Sequence, residues 1–244
     1  MRLRSFAFFI VLALSLLVYA PLVALLFPLP FHVAHRASNV WTRFFVWFSR
    51  TIGGVDCRID GIERLPGGPC IFFSKHQSAW ETLAFQALLP PYVWILKREA
   101  LWIPFFGWGL SALRPIAIDR SARGAAVRQI RDQGIERLDA GLSVLIFPES
   151  TRMPPGKTRR FGLGGAVLAT ESGYPVVPIA HNSGSFWPAR RLLIERAGTV
   201  DIVIGEPINP TGLTPEALNE RVKGWIDATV ADLEERARAK ATNA

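Results

Sequence analysis

From Phe6 to Phe27 the chain is an almost unbroken apolar run, interrupted only by Ser15, Tyr19 and Pro21. As a helix, at about 1.5 Å per residue, such a run extends roughly 33 Å, enough to cross a hydrocarbon core of about 30 Å. A cleaved signal peptide would carry a shorter apolar core, about 7–15 residues, and then a small-x-small cleavage site. Here the run is longer and ends in Phe27-Pro28-Leu29-Pro30-Phe31, a poor cleavage site. The segment is therefore read as a retained membrane anchor. Pro28 and Pro30 break the first helix. The stretch 32–50 then forms a second, on which Val33, Val40, Trp41, Phe44, Phe45, Trp47 and Phe48 make an aromatic face suited to a membrane interface. Arg2 and Arg4 precede the run, and Arg36, Arg43 and Arg50 follow it, so the positive-inside rule gives no orientation. Residues 1–52 are expected to form a membrane-anchoring helical hairpin that dips into one leaflet, both ends on the cytoplasmic side. A single bitopic span is the competing topology.

Residues 53–244 have the character of one α/β domain. Short apolar runs bounded by Gly or Pro predict strands at 70–74, 92–96, 115–118, 143–147, 176–180, 192–195 and 201–204. Helical stretches alternate with them at 79–89, 122–139, 164–171 and 215–238, the last with Thr214 as N-cap and Pro215 at the first helical position. This alternation predicts an α/β fold, a mixed and mostly parallel sheet flanked by helices. Residues 237–244 are expected to be frayed. The formal net charge of +8 favours an anionic partner: nucleic acid, lipid headgroups or a phosphorylated substrate. Nucleic acid would account for the charge but not for the anchor. Cys57 and Cys70 lack Cys-x-x-Cys spacing, so neither a disulfide framework nor a zinc site is expected.

Four segments carry chemistry. In Ser74-Lys75-His76-Gln77-Ser78-Ala79-Trp80-Glu81 a histidine stands where a buried strand gives way to a helix. His76 and Glu81 would be splayed by about 140° on a regular helix, so they meet only if His76 lies in the loop and Glu81 in the first turn. A carboxylate on one imidazole nitrogen fixes the tautomer and leaves the other nitrogen to accept a proton. Equally, Ser78-x-x-Glu81 is a capping box, and His76 a loop histidine. The second segment, Pro115 to Arg120, is a strand ending in Asp119-Arg120. The third, Phe147-Pro148-Glu149-Ser150-Thr151-Arg152, leads to Lys157, Arg159 and Arg160 and then to Gly162, Gly164 and Gly165. Four cations followed by glycines that open a helix fit an anion site, or a basic loop facing solvent or lipid. The fourth, Tyr174 to Ala180, is a buried strand with a packing role.

In order, His-x4-acid, Ile-Asp-Arg, Phe-Pro-Glu-x-Thr-Arg and Val-Val-Pro-Ile resemble the four blocks of the glycerolipid acyltransferases, most closely the bacterial 1-acyl-glycerol-3-phosphate acyltransferases, over roughly residues 55–205. The resemblance implies an O-acyltransferase of phospholipid synthesis at the bacterial inner membrane, with its catalytic domain on the cytoplasmic face. It implies acyl-CoA or acyl-carrier protein as donor, a lysophospholipid as acceptor, membrane lipids as surroundings, and no metal, cofactor or nucleic acid. By position, His76 would be the general base and Glu81 its orienting acid. Arg120, Glu149 and Arg152 would hold the glycerol phosphate, with Lys97 a further phosphate contact, and Val177, Pro178 and Ile179 would shape the acyl side. Three positions depart from the family pattern: Lys75 stands where Asn is usual, Glu81 where Asp is usual, and Ser150 where Gly is usual.

Overall fold

A computed structural model describes residues 2–119, 121, 123–189 and 191–242, with side chains described except at 2, 123 and 240–242. In chain order the elements are α1 (Arg2–Ala24), α2 (Phe31–Phe48), β1 (Val55–Asp60), β2 (Ile71–Ser74), α3 (Trp80–Leu88), β3 (Tyr92–Lys97), α4 (Phe106–Ala112), β4 (Ile116–Ile118), α5 (Arg123–Asp139), β5 (Ser143–Ile146), α6 (Gly164–Ser172), β6 (Val176–His181), β7 (Gly198–Ile204) and α7 (Pro215–Thr242). The seven strands form one sheet in the order β1-β7-β6-β2-β5-β3-β4. Every neighbouring pair is parallel except β6 with β7. The expected α/β architecture with a mixed, mostly parallel sheet is what forms.

Side chains alternate across the central strands and build a core on each face. Phe72, Leu145, Val177 and Ile179 pack toward α2 and α3. Ile71, Phe73, Val144, Ile146 and Val176 pack toward α5, α6 and α7. Strands buried on both faces read as continuous apolar runs, which is why β2, β3, β5 and β6 stand out in the sequence. Two strand expectations are corrected. β1, Val-Asp-Cys-Arg-Ile-Asp, is a half-exposed edge strand whose polar alternation hides it among loop residues. The stretch 192–195 is no strand. Trp187 Nε1 donates to the Arg191 carbonyl at 3.0 Å, and Glu195 N donates to the Phe186 carbonyl at 2.9 Å, which ties the segment into a loop. β7 starts at Gly198, opposite Val55 and ahead of the expected 201. Thr214 caps α7 as expected, accepting from Ala217 N at 3.2 Å. That helix runs on to Thr242 through residues expected to fray.

α1 and α2 pack together as a helical hairpin, and they share a core with the sheet across the 52/53 boundary. Phe8 stacks on Phe48 at 5.1 Å and meets Trp187 edge-on at 6.0 Å. Tyr19 Oη donates to the Ala37 carbonyl at 2.8 Å. On α2, Trp41, Phe45 and Phe48 are buried, while Val40 and Trp47 remain exposed. The aromatic face therefore mostly packs inward, a correction to its expected interfacial role. The outward face of the hairpin is carried by Leu3, Leu14, Val18, Leu22 and Leu25. At the other end of α1, a Cβ on Gly109 of α4 would lie 2.9 Å from the Ala20 carbonyl oxygen, so only glycine permits this approach. Gly109→Val should force α4 from α1, cost about 1–3 kcal/mol and lower the melting temperature in detergent. Gly224→Ala, on α7 with nothing within 4 Å, should be neutral or slightly stabilising.

Candidate active site

β2, β5 and β6 run parallel, so the segments that follow them (75–79, 147–163 and 182–185) emerge at one edge of the sheet. Loops at the carboxyl ends of parallel strands are where such sheets bind ligands. His76 leaves β2 in the first of these loops, and Glu81 lies in the first turn of α3. His76 Nδ1 is 2.9 Å from Glu81 Oε1. That same oxygen accepts the backbone N–H groups of Gln77 and Ser78 at 2.9 and 2.8 Å. Glu81 Oε2 accepts the Ser183 hydroxyl at 2.7 Å. Capping and bracing are thus done by one carboxylate, and the two sequence readings of Glu81 are not exclusive. The imidazole is stacked on Phe147, 4.0 Å between ring centres.

Glu81 is fully buried. Burial alone pushes its carboxyl up, but nearby His181, the bond from His76 and the Ser78 N–H outweigh it and bring the carboxyl down to about 2. Burial holds His181 itself below the usual histidine range. The direct hydrogen bonds to Glu81 are therefore the firmer cause of its ionisation. His181 Nε2 lies 2.8 Å from the Lys75 carbonyl, and its Nδ1 receives Ser183 N at 3.4 Å, an arrangement that suits the neutral ring with Nε2 protonated. Both cysteines are free, and burial pushes their thiols up, to about 11 at Cys57 and about 12 at Cys70. Neither presents a thiolate.

The third segment folds beside the pair. Met153 N donates to the His76 carbonyl at 2.7 Å, so Arg152, exposed to solvent, is held next to the His76 loop. Glu149 points the other way. It is buried, its Oε1 is 2.6 Å from Lys75 Nζ, and its Oε2 accepts His76 N at 3.3 Å. Engaged in this way, its carboxylate supports the loop rather than facing outward. Ser150 has φ +60°, a left-handed conformation that favours glycine, which gives a physical reason for the family's usual residue there. Gly164 and Gly165 do not open toward an anion. A Cβ on them would meet Ile130 at 2.6 Å and Phe73 at 2.7 Å, so they allow close helix packing. Lys97 pairs with Glu99 at 3.1 Å, and Asp119 with Arg98 at 3.0 Å. Arg120 lies outside the described residues.

A cavity of about 230 Å³ opens beside His76. Its walls are almost wholly apolar and come from the hairpin (Tyr19, Val23, Trp41) as well as the domain (Leu83, Trp94, Leu110). Lys97, Phe147 and Ser150 stand at it with His76. Val177, Pro178 and Ile179, expected to shape the acyl side, do not line it. They are buried in the central strand β6, with Val177 and Ile179 packed into the core on the face toward α2 and α3. Sequence reasoning missed Ser183 and His181. They lie more than a hundred residues from Glu81 and His76, and no local pattern marks them.

The folded-state carboxyl of Glu81 sits below its ordinary value of 4.5, so its contribution to stability is present above that pH and is lost as pH falls toward about 2. Glu81→Gln should be destabilised at neutral pH. It should also lack the part of the acid unfolding transition that lies between these limits, read by circular dichroism from pH 7 to 2.

Residues 56–182 match the model of a family described as Acyltransferase. A 1-acyl-sn-glycerol-3-phosphate acyltransferase of Pseudomonas aeruginosa is 41% identical over 94% of this chain and 91% of its own length. The human 1-acyl-sn-glycerol-3-phosphate acyltransferase alpha is 30% identical over 70% of this chain and 62% of its own. The crystal structure of the 1-acyl-sn-glycerophosphate acyltransferase PlsC from Thermotoga maritima superposes with a TM-score of 0.78 at 25% identity, covering 95% of each chain. Sequence and fold agree, and the chain belongs to the acyltransferase family.

Proposed function

We propose that this acyltransferase moves a fatty acyl chain from a thioester, acyl-CoA or acyl-carrier protein, to the sn-2 hydroxyl of 1-acyl-glycerol 3-phosphate, giving phosphatidic acid. The observation that carries this reading is the His76–Glu81 pair, 2.9 Å apart, beside an apolar cavity and a basic loop in a chain of this family. With Nδ1–H bound to the ionised Glu81, Nε2 accepts the proton of the acceptor hydroxyl. The oxygen attacks the thioester carbonyl. The resulting tetrahedral intermediate expels the thiolate, which leaves as thiol with the proton returned from Nε2. Glu81 stabilises the imidazolium while it exists. Arg152, Lys97 and Arg120 engage the acceptor phosphate, for which the guanidinium fork is suited. Glu149 acts one step back, through Lys75 and the His76 backbone. The apolar cavity takes the acyl chain that joins the hairpin side to His76.

The hairpin anchors the protein in one leaflet of the inner membrane, with the catalytic domain on its cytoplasmic face. The contacts along α1 support this over a bitopic span. Arg4 bonds to the Thr51 carbonyl at 3.1 Å near one end, and Ala20 meets Gly109 near the other. A helix held to the domain over that length cannot cross a bilayer apart from it.

His76→Ala should lower turnover about 10³-fold or more while the protein stays folded, measured as thiol release with acyl-CoA and acyl-carrier protein in parallel. Near-normal turnover would defeat the mechanism. Arg152→Ala should raise the KM for 1-acyl-glycerol 3-phosphate by roughly 10- to 100-fold with a smaller effect on kcat.

A further inference from the structure

The basic loop ends its first half in Pro154-Pro155-Gly156-Lys157, a turn closed by Lys157 N donating to the Pro154 carbonyl at 3.0 Å. Proline at the second position and glycine with φ +71° at the third are the residues that a type II turn requires. Two buried side chains of opposite charge reach this turn from different parts of the fold. Lys75 Nζ, beside the catalytic histidine, donates to the Lys157 carbonyl at 2.9 Å as well as to Glu149. Glu234, from the C-terminal helix, accepts the Gly156 N–H on Oε2 at 2.7 Å. Lys75 is 1% exposed and Glu234 2% exposed, so neither is a solvated surface charge.

Glu234 does a second thing. Its Oε1 accepts Gln77 Nε2 at 2.6 Å, and Gln77 Oε1 accepts Gly184 N at 3.3 Å, next to the Ser183 that bonds to Glu81. One carboxylate thus joins the basic loop to the support of the catalytic pair. Two further residues of α7 hold the same loop. Asp227, which also pairs with Lys223, accepts from the Thr158 hydroxyl at 3.0 Å, and Asn219 Nδ2 donates to the Gly162 carbonyl at 3.2 Å. Spaced eight and seven residues apart, the three lie on one side of the helix, about two turns from one another. The family match ends at residue 182, so this helix lies outside it.

We propose that Lys75 and Glu234 are positioning residues for acceptor recognition: they grip the carbonyl and the N–H of one turn and so fix the basic loop at a set distance from His76 and Glu81. The proposal rests on the reading that this loop receives the acceptor's phosphate. Cations on an untethered loop would have to be ordered by the substrate at each encounter, and held in place they meet the phosphate already aligned. Lys75 stands where asparagine is usual in the family, and a shorter uncharged side chain could not serve both the Lys157 carbonyl and the buried Glu149.

The test is the ratio of kcat/KM for 1-acyl-glycerol 3-phosphate to that for 1-acylglycerol, in the full chain in detergent. Glu234→Gln, which keeps the volume but loses the charge and faces Gly156 N–H with an amide, should lower this ratio about tenfold, mainly through KM of the phosphorylated acceptor. Glu234→Asp, with the charge kept, should recover part of it. Thr158→Val, at an exposed tie on the same loop, leaves the core intact and should lower the ratio about threefold, so the question stays decidable if Glu234→Gln does not fold. A merely structural role would depress both acceptors alike and leave the ratio within twofold of wild type, and that result overturns the proposal. If the wild type itself does not prefer the phosphorylated acceptor, the proposed function fails instead.

Discussion

A carboxylate buried without solvent has a high desolvation cost, and it stays ionised only where enough donors converge on it. Glu81 meets that condition with four: the His76 ring, two backbone N–H groups of its own loop and the Ser183 hydroxyl. Each donor comes from a segment at the same edge of the sheet. The negative charge therefore ties the start of α3, the His76 loop and the turn after β6 into one unit. Replacing it would leave several donors unpaired at once, so the cost would be structural as well as chemical.

Around this unit the fold separates two environments. On one side the hairpin and α4 enclose an apolar cavity that reaches His76. On the other, the loop from Thr151 to Arg160 presents cations to solvent, and the buried charges beneath it are already engaged, Lys75 by Glu149 and Glu234 by Arg238, with hydrogen bonds from Gln77 and the Gly156 N–H. A lipid with a long chain and a charged head has the same division of character. The hairpin's place in the core is part of this arrangement, because Tyr19, Val23 and Trp41 on its two helices are also cavity walls.

Much of the fold was legible because parallel strands covered on both faces must be apolar throughout, as Ile71–Phe73 and Val144–Ile146 are. The edge strand β1 was not, since only Val55 among its residues is fully buried and its Asp and Arg residues look like loop. The spacing of His76 and Glu81 across a strand–helix junction allowed a pair but left a capping box and a loop histidine open, and the resemblance, not the spacing, singled the pair out. Ser183, His181 and Glu234 were not legible: they reach the site only through tertiary folding, and neither a serine among polar turn residues nor one glutamate in a charged helical run carries a local signature. Misplacement had a similar cause. A buried strand such as Val177–Ile179 reads the same whether its side chains border a groove or pack into the core on a face of the sheet. Glycines in the first turn of a helix, as at Gly164 and Gly165, serve close packing as readily as they serve an anion.

The central claim is that Glu81 holds the His76 ring with its proton on Nδ1 and the lone pair of Nε2 facing the cavity. The ¹⁵N NMR spectrum of histidine-labelled protein at alkaline pH, with the His76 signals assigned by loss in His76→Gln, reads that tautomer directly. The account predicts a protonated Nδ1 and an unprotonated Nε2 for His76. A His76 ring carrying its proton on Nε2, or exchanging freely between the two forms, would contradict it.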